Sequence, residues 1–162
     1  MEEEELLLLI KDLCARTPYS QFVNIDGEIK KLIAISNTFI HFSDPTDDYL
    51  DGNFDLDYCI VKPYLRSLSS MTEEEAKDIA TLMGIKDIRS INITEKYIEV
   101  IKDDGFCSTE TITIWFNEIV SSIEIFDYLN VHYFDYRGLI PMGLAIEVTE
   151  ENNPYKEYDT RR

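Results

Sequence analysis

Glycine is scarce, with six in 162 residues, and neither GxxxxGK[ST] nor GxGxxG occurs. The chain therefore offers no phosphate cradle of the kind that closely approaching backbone builds. Histidine is scarcer: His41 and His132 stand alone, with no HExxH or HxH spacing. A histidine site assembled from distant residues stays open, but no local pattern points to one. Cys14, Cys59 and Cys107 are odd in number, widely spaced and free of any CxxC pair. Reduced thiols are expected, not a disulfide framework or a zinc site, and no cofactor is implied. Basic residues number 15 against 32 acidic ones, a net charge of −17. Such a surface repels phosphate backbones and anionic membranes, so direct contact with nucleic acid or membrane is not expected. No apolar run approaches the ~18 residues of a membrane span. The opening MEEEELLLLIKDL places its apolar run after glutamates instead of a basic region, so no export signal is expected and the expected location is cytoplasmic.

Apolar material is ample, at 44% of residues with 12% aromatic, enough for a full core in a domain of this length. Leu6, Leu9, Ile10 and Leu13 form a helical stripe behind Glu2 to Glu5, and Thr17-Pro18 stops it. Strands are expected at 22–25 and 29–36 around an Asp26-Gly27 turn, at 38–42, and at 58–65, where Pro63 suggests an edge or a bulge. Thr72 and Glu75 make a capping box for a second helix on Ala76, Ile79, Ala80 and Met83, which Gly84 ends. Strands follow at 85–93, 97–102 and 106–116. Ser121 with Glu124 then predicts a third helix running to about Tyr133. The pattern reads as α+β, mainly antiparallel, with about three helices in a single compact domain over 1–150. A polar tail, expected to be loose, occupies 151–162.

Two stretches bear on chemistry. The loop 43–57 carries Asp44, Asp47, Asp48, Asp51, Asp55 and Asp57, and its Asp51-x-Asn53-x-Asp55 start resembles a calcium loop. The pattern then fails, because Leu56 stands where the turn needs Gly and Lys62 where a bidentate Glu belongs, so no metal site is assigned. Residues 32–61 and 103–136 contain no Lys or Arg. That segregation is either an ordinary acidic surface or a binding face for a cationic partner, with the loop aspartates as candidate contacts. The stretch HYFDYRGLI, 132–140, gathers His132, Asp135, Arg137 and Gly138. A helix exit explains all four. The histidine meets the exposed carbonyls, the arginine bonds those carbonyls or pairs with Asp135, Gly138 supplies a positive φ, and the apolar neighbours return the chain to the core. No catalytic residue is assigned.

KPYLRSLSSMTEEE (62–75) and DYLNVHYFDYRGLIPMGLAIEV (127–148), with PYSQFVNIDGEIKKL before them, resemble a family of small uncharacterised proteins of gut Bacteroidetes, their phages and prophages. Ser67, the single histidine of the second motif, and Pro141-Met142 depart from the family pattern. The resemblance implies a phage or prophage setting inside a bacterial host cell, and no reaction. The expected function is a non-enzymatic interaction protein whose acidic surface engages a cationic or nucleic-acid-binding protein. A specific version is a DNA-mimic inhibitor of such a protein. The alternatives are a small carboxylate- and metal-dependent hydrolase, and a self-associating scaffold with an apolar patch at 139–146.

Overall fold

The structure is a computed structural model that describes residues 2–36, 39–46, 52–55, 59–105 and 108–158. The architecture is α+β with antiparallel strand pairing predominant. The chain divides into two compact units, one of residues 1–66 with 137–162 and the other of residues 67–136.

In the first unit, helix α1 (Glu3–Arg16) opens where Glu2 N donates to Glu5 Oε2 at 3.0 Å. Strands β1 (Phe22–Ile25) and β2 (Glu28–Ser36) form the expected hairpin. Its turn holds both Asp26 (φ 51) and Gly27 (φ 100) at positive φ, and Asn24 Oδ1 accepts from Gly27 N. Strands β3 (Phe39–Ser43), β4 (Gly52–Asp55), β5 (Val61–Leu65) and β9 (Ile146–Glu147) complete a six-stranded sheet in the order β4-β3-β2-β1-β5-β9. Leu9 and Leu13 of α1 pack with Val23, Ile25, Leu32, Ile40, Phe42 and Leu65 in its core.

Three expectations change here. Part of the predicted loop 43–57 is strand, because β4 pairs with β3 from Phe39↔Asp55 to Phe42↔Gly52. Pro63 lies in an interior strand, not at the sheet edge. It is tolerated because β9 pairs only with Tyr64 and Leu65, so the N–H that proline lacks falls where no ladder bond is made on that side. The C-terminal stretch is not loose throughout: Pro154–Tyr158 forms a short helix, α4. Tyr155 donates its hydroxyl to Tyr64 O at 2.8 Å and sets its ring against Phe22 at 5.2 Å.

In the second unit, α2 (Glu73–Leu82) carries the predicted capping box. Thr72 Oγ1 accepts from Glu75 N at 3.2 Å, and Thr72 N donates to Glu75 Oε2 at 2.8 Å. Met83, expected on the apolar stripe, serves as the C-cap and is 37% exposed. Strands β6 (Ile88–Ile93), β7 (Tyr97–Asp103) and β8 (Thr109–Trp115) form an antiparallel sheet. Helix α3 (Ile123–Val131) is capped by Ser122, whose hydroxyl accepts from Ile125 N at 3.3 Å. The cap therefore falls one residue later than the Ser121 expectation. Ile79, Ala80, Ile98, Val100, Ile114, Ile125, Leu129 and Phe134 make this unit's core.

Candidate functional site

The HYFDYRGLI stretch is a helix exit, built differently from expectation. His132 is the C-cap of α3, and Tyr133 follows at φ +60. Tyr133 N donates to Asn130 O at 3.1 Å and Phe134 N to Leu129 O at 2.9 Å. These two bonds, with Phe134 and Leu129 buried in one cluster, are a Schellman termination. The positive φ of the exit thus belongs to Tyr133 and not to Gly138, which reaches φ +74 further on, ahead of the turns at 139–144. The α2 helix ends in the same way with Gly84 at φ +79, through Gly84 N to Thr81 O and Ile85 N to Ala80 O.

His132 and Arg137 turn to different partners. His132 stacks on Tyr128 at 4.2 Å, and its Nδ1 lies 3.4 Å from Glu75 Oε1, so it ties the end of α3 to the start of α2. Asp135 is buried. Arg137 reaches α1, with Nε 3.3 Å from Asp12 Oδ1. Arg16, one turn after Asp12, donates to the same carboxylate from Nε at 2.8 Å and from Nη2 at 3.1 Å. Asp12 and Arg16 are both 0% exposed. A carboxylate held by two guanidiniums inside a core is suited to fixing α1 and the 137–140 turn, since a buried charge needs such partners.

Sequence reasoning missed that centre, although a signal existed. Asp12 follows Leu9 by three positions and Arg16 follows Leu13 by three, which puts both on the apolar stripe of α1. The stretches 62–75 and 127–148 contain residues 66–67 and 136–137, the two places where the chain passes from one unit to the other. Capping and turn residues concentrate there because one element must end and another begin.

Of the acidic loop, Asp47, Asp48, Asp51 and Asp57 lie outside the described residues. Asp44 is exposed, and its Oδ1 accepts from Thr46 N at 3.0 Å and Thr46 Oγ1 at 2.8 Å. Those bonds, the backbone one first, hold its carboxyl below the usual aspartate value. Asp55 ends β4, where its carbonyl accepts from Cys59 Sγ at 3.3 Å. Burial first, then the Asp26 and Asp55 carboxylates, push the Cys59 thiol up. His41 Nε2 lies 2.7 Å from Ser36 Oγ on the neighbouring strand, an exposed pair. Among the described residues, no three His, Cys, Asp or Glu side chains gather to hold a metal ion. No helix there is long and apolar enough to cross a membrane.

Apolar exposure sits elsewhere than at 139–146. Leu139 and Ala145 are core residues, and Met142 is the large apolar side chain there that stays exposed. The second unit exposes Leu82 and Met83 at the end of α2, and Trp115 (45%), Val120 (43%), Ile123 (64%) and Val131 (44%) further on. Trp115, Val120, Ile123 and Val131 fall inside the Lys- and Arg-free stretch 103–136, together with the exposed carboxylates Asp103, Asp104, Glu110, Glu118, Glu124 and Asp127. Glu124 stands in the first turn of α3. Its own backbone N–H, then the Ser122 hydroxyl, hold its carboxyl below the usual glutamate value.

No family model, curated protein or solved structure matches this chain.

Proposed function

We propose that the protein is a non-enzymatic interaction module of phage or prophage type, whose acidic surface engages a cationic protein. One observation carries this reading. Residues 103–136 expose Trp115, Val120, Ile123 and Val131 in a segment that also exposes Asp103, Asp104, Glu110, Glu118, Glu124 and Asp127 and contains no Lys or Arg. Exposed apolar groups in a segment charged with one sign suit a protein partner of opposite sign: the apolar groups supply affinity, while the charges steer and select. A nucleic-acid-binding protein is one cationic partner of this kind, and inhibition by occupying its nucleic-acid surface is the specific version of the reading. Exposed tryptophan and isoleucine favour a partner with apolar pockets over mimicry by charge alone.

Affinity capture from host lysate at low and high salt, with bound proteins identified by mass spectrometry, tests it. The expected result is a basic protein retained at low salt, released at high salt, and lost from the Glu118→Lys, Glu124→Lys variant. Retention of nothing specific at either salt, or of a partner indifferent to both salt and charge reversal, refutes the reading.

A further inference from the structure

We infer that strand β8 is a docking edge that adds an extended, cationic segment of the partner protein as a further strand of the β6-β7-β8 sheet. The inference rests on the interaction reading and says where and how contact is made.

At the two ends of the β7–β8 pair, Asp104 N donates to Ser108 O at 3.1 Å and Phe116 N to Lys96 O at 3.0 Å. Antiparallel ladders alternate, so the pairs that exchange hydrogen bonds between them are Lys102↔Glu110, Val100↔Ile112 and Ile98↔Ile114. Thr109, Thr111, Thr113 and Trp115 therefore aim their N–H and C=O groups away from β7. Among the described residues no backbone group pairs with them. All four are exposed.

Among the described residues, the other edges are guarded. The outer ladders of the six-stranded sheet end in β4, four residues long, and β9, two residues long. On the opposite side of the small sheet, β6 is broken by an irregularity between Ile88 and Ser90 that includes the cation Arg89. Short edges, bulges and edge cations are the usual protection against strand addition. Strand β8 has none of them: TETITIW runs seven residues in unbroken register, without Lys, Arg or Pro, and is dominated by β-branched and aromatic residues.

Charge selects the occupant. A second copy would bring another −17 to the same edge, which opposes self-pairing. Asp103, Asp104, Glu110 and Glu118 lie on or beside the strand; Lys102, 3.0 Å from Glu110, and Arg89, 4.0 Å from Asp103, offset two of them, and the strand side keeps a negative surplus. On the solvent face Trp115 meets Tyr97 edge-on at 4.9 Å, an aromatic platform for a Lys or Arg of the incoming strand. Main-chain bonds would then supply affinity, and alternate side chains would supply selectivity.

Trp115 is the sole tryptophan, so its emission reports on this edge directly. The test titrates the full chain with a synthetic alternating Lys–Val peptide of about eight residues, against a Glu–Val control. The expected result is a saturable emission change with Lys–Val alone, and protection of the Thr111 and Thr113 amides from hydrogen exchange. Thr113→Pro removes an outward N–H that an edge strand can spare, and should weaken binding about tenfold. Thr113→Val should leave it unchanged. Equal binding by a folded Thr113→Pro variant, or no added protection in the wild type, overturns the inference. A self-associated chain that Thr113→Pro renders monomeric also overturns it, by assigning the edge to a second copy. A lysate protein captured equally by wild type and Thr113→Pro removes the edge and leaves the interaction reading. Lys–Val bound at the edge with no lysate protein captured removes the reading and upholds the edge.

Discussion

Tyr133 and Gly84 occupy the same place in two Schellman terminations, at φ +60 and φ +79, and that equivalence yields a quantitative test. For an L-residue the left-handed conformation costs roughly 1–2 kcal/mol, from which glycine is exempt. Glycine in turn loses more unfolded-state entropy than alanine, about 0.5–1 kcal/mol. At both positions glycine should therefore exceed alanine by about 1 kcal/mol, the reverse of their order inside a helix. A Cβ at Gly84 would meet nothing within 4 Å, so Gly84→Ala measures the backbone alone. At position 133 the comparison is Tyr133→Gly against Tyr133→Ala: both remove the same ring, and the difference isolates the backbone again. Urea unfolding followed by Trp115 emission, in the same unit as both helices, is the assay. With m of about 1–3 kcal/mol per molar, a difference of about 1 kcal/mol moves the midpoint by roughly 0.5 M. If Tyr133→Ala proves as stable as Tyr133→Gly or more so, the exit at HYFDYRGLI is not governed by backbone conformation, and the reasoning fails.

Asp12→Ala, which strips the carboxylate from Arg16 and Arg137, should cost about 3–5 kcal/mol in denaturant, while joint replacement of all three by Leu and Met should recover most of it. A loss under about 1 kcal/mol would mean that the trio is solvated and adds nothing. Glu124 is held below its usual value in the folded chain, so its stabilisation is present above the unfolded value and is lost as pH falls through the folded one. Carboxyl NMR should place its midpoint below that of a free glutamate and shift it upward in Ser122→Ala; a midpoint at or above the usual value contradicts the assignment. Tyr155→Ala removes the hydroxyl bond to Tyr64 O and the ring against Phe22, and should destabilise by about 2 kcal/mol. An unchanged melting curve would show that α4 does not hold to its sheet.

Local signals were legible wherever adjacent residues decide structure. The Thr72–Glu75 capping box, the Asp26-Gly27 turn and the Leu9–Leu13 stripe appear where reading predicts them. The Ser121 cap was misplaced because two serines stand side by side, and hydroxyl geometry selects Ser122. Gly138 was credited with the exit of α3 because glycine is the usual residue there. The hydrogen bonds of Tyr133 and Phe134 force the left-handed residue onto a tyrosine instead. Strand β4 was hidden inside an acidic stretch with no alternation to betray it, and it exists because β3 offers a ladder.

Sequence alone determined the α+β class, the capped helices, the surplus of negative charge and its segregation, because these follow from composition and from neighbours a few residues apart. Only the tertiary structure decided that Asp12, Arg16 and Arg137 share one buried centre, since 121 positions separate Arg16 from Arg137 and no local rule joins them. It also decided which strands are edges. Hydrogen-bond partners are a property of the assembled sheet, and TETITIW reads the same in a strand paired on both sides as in one left open.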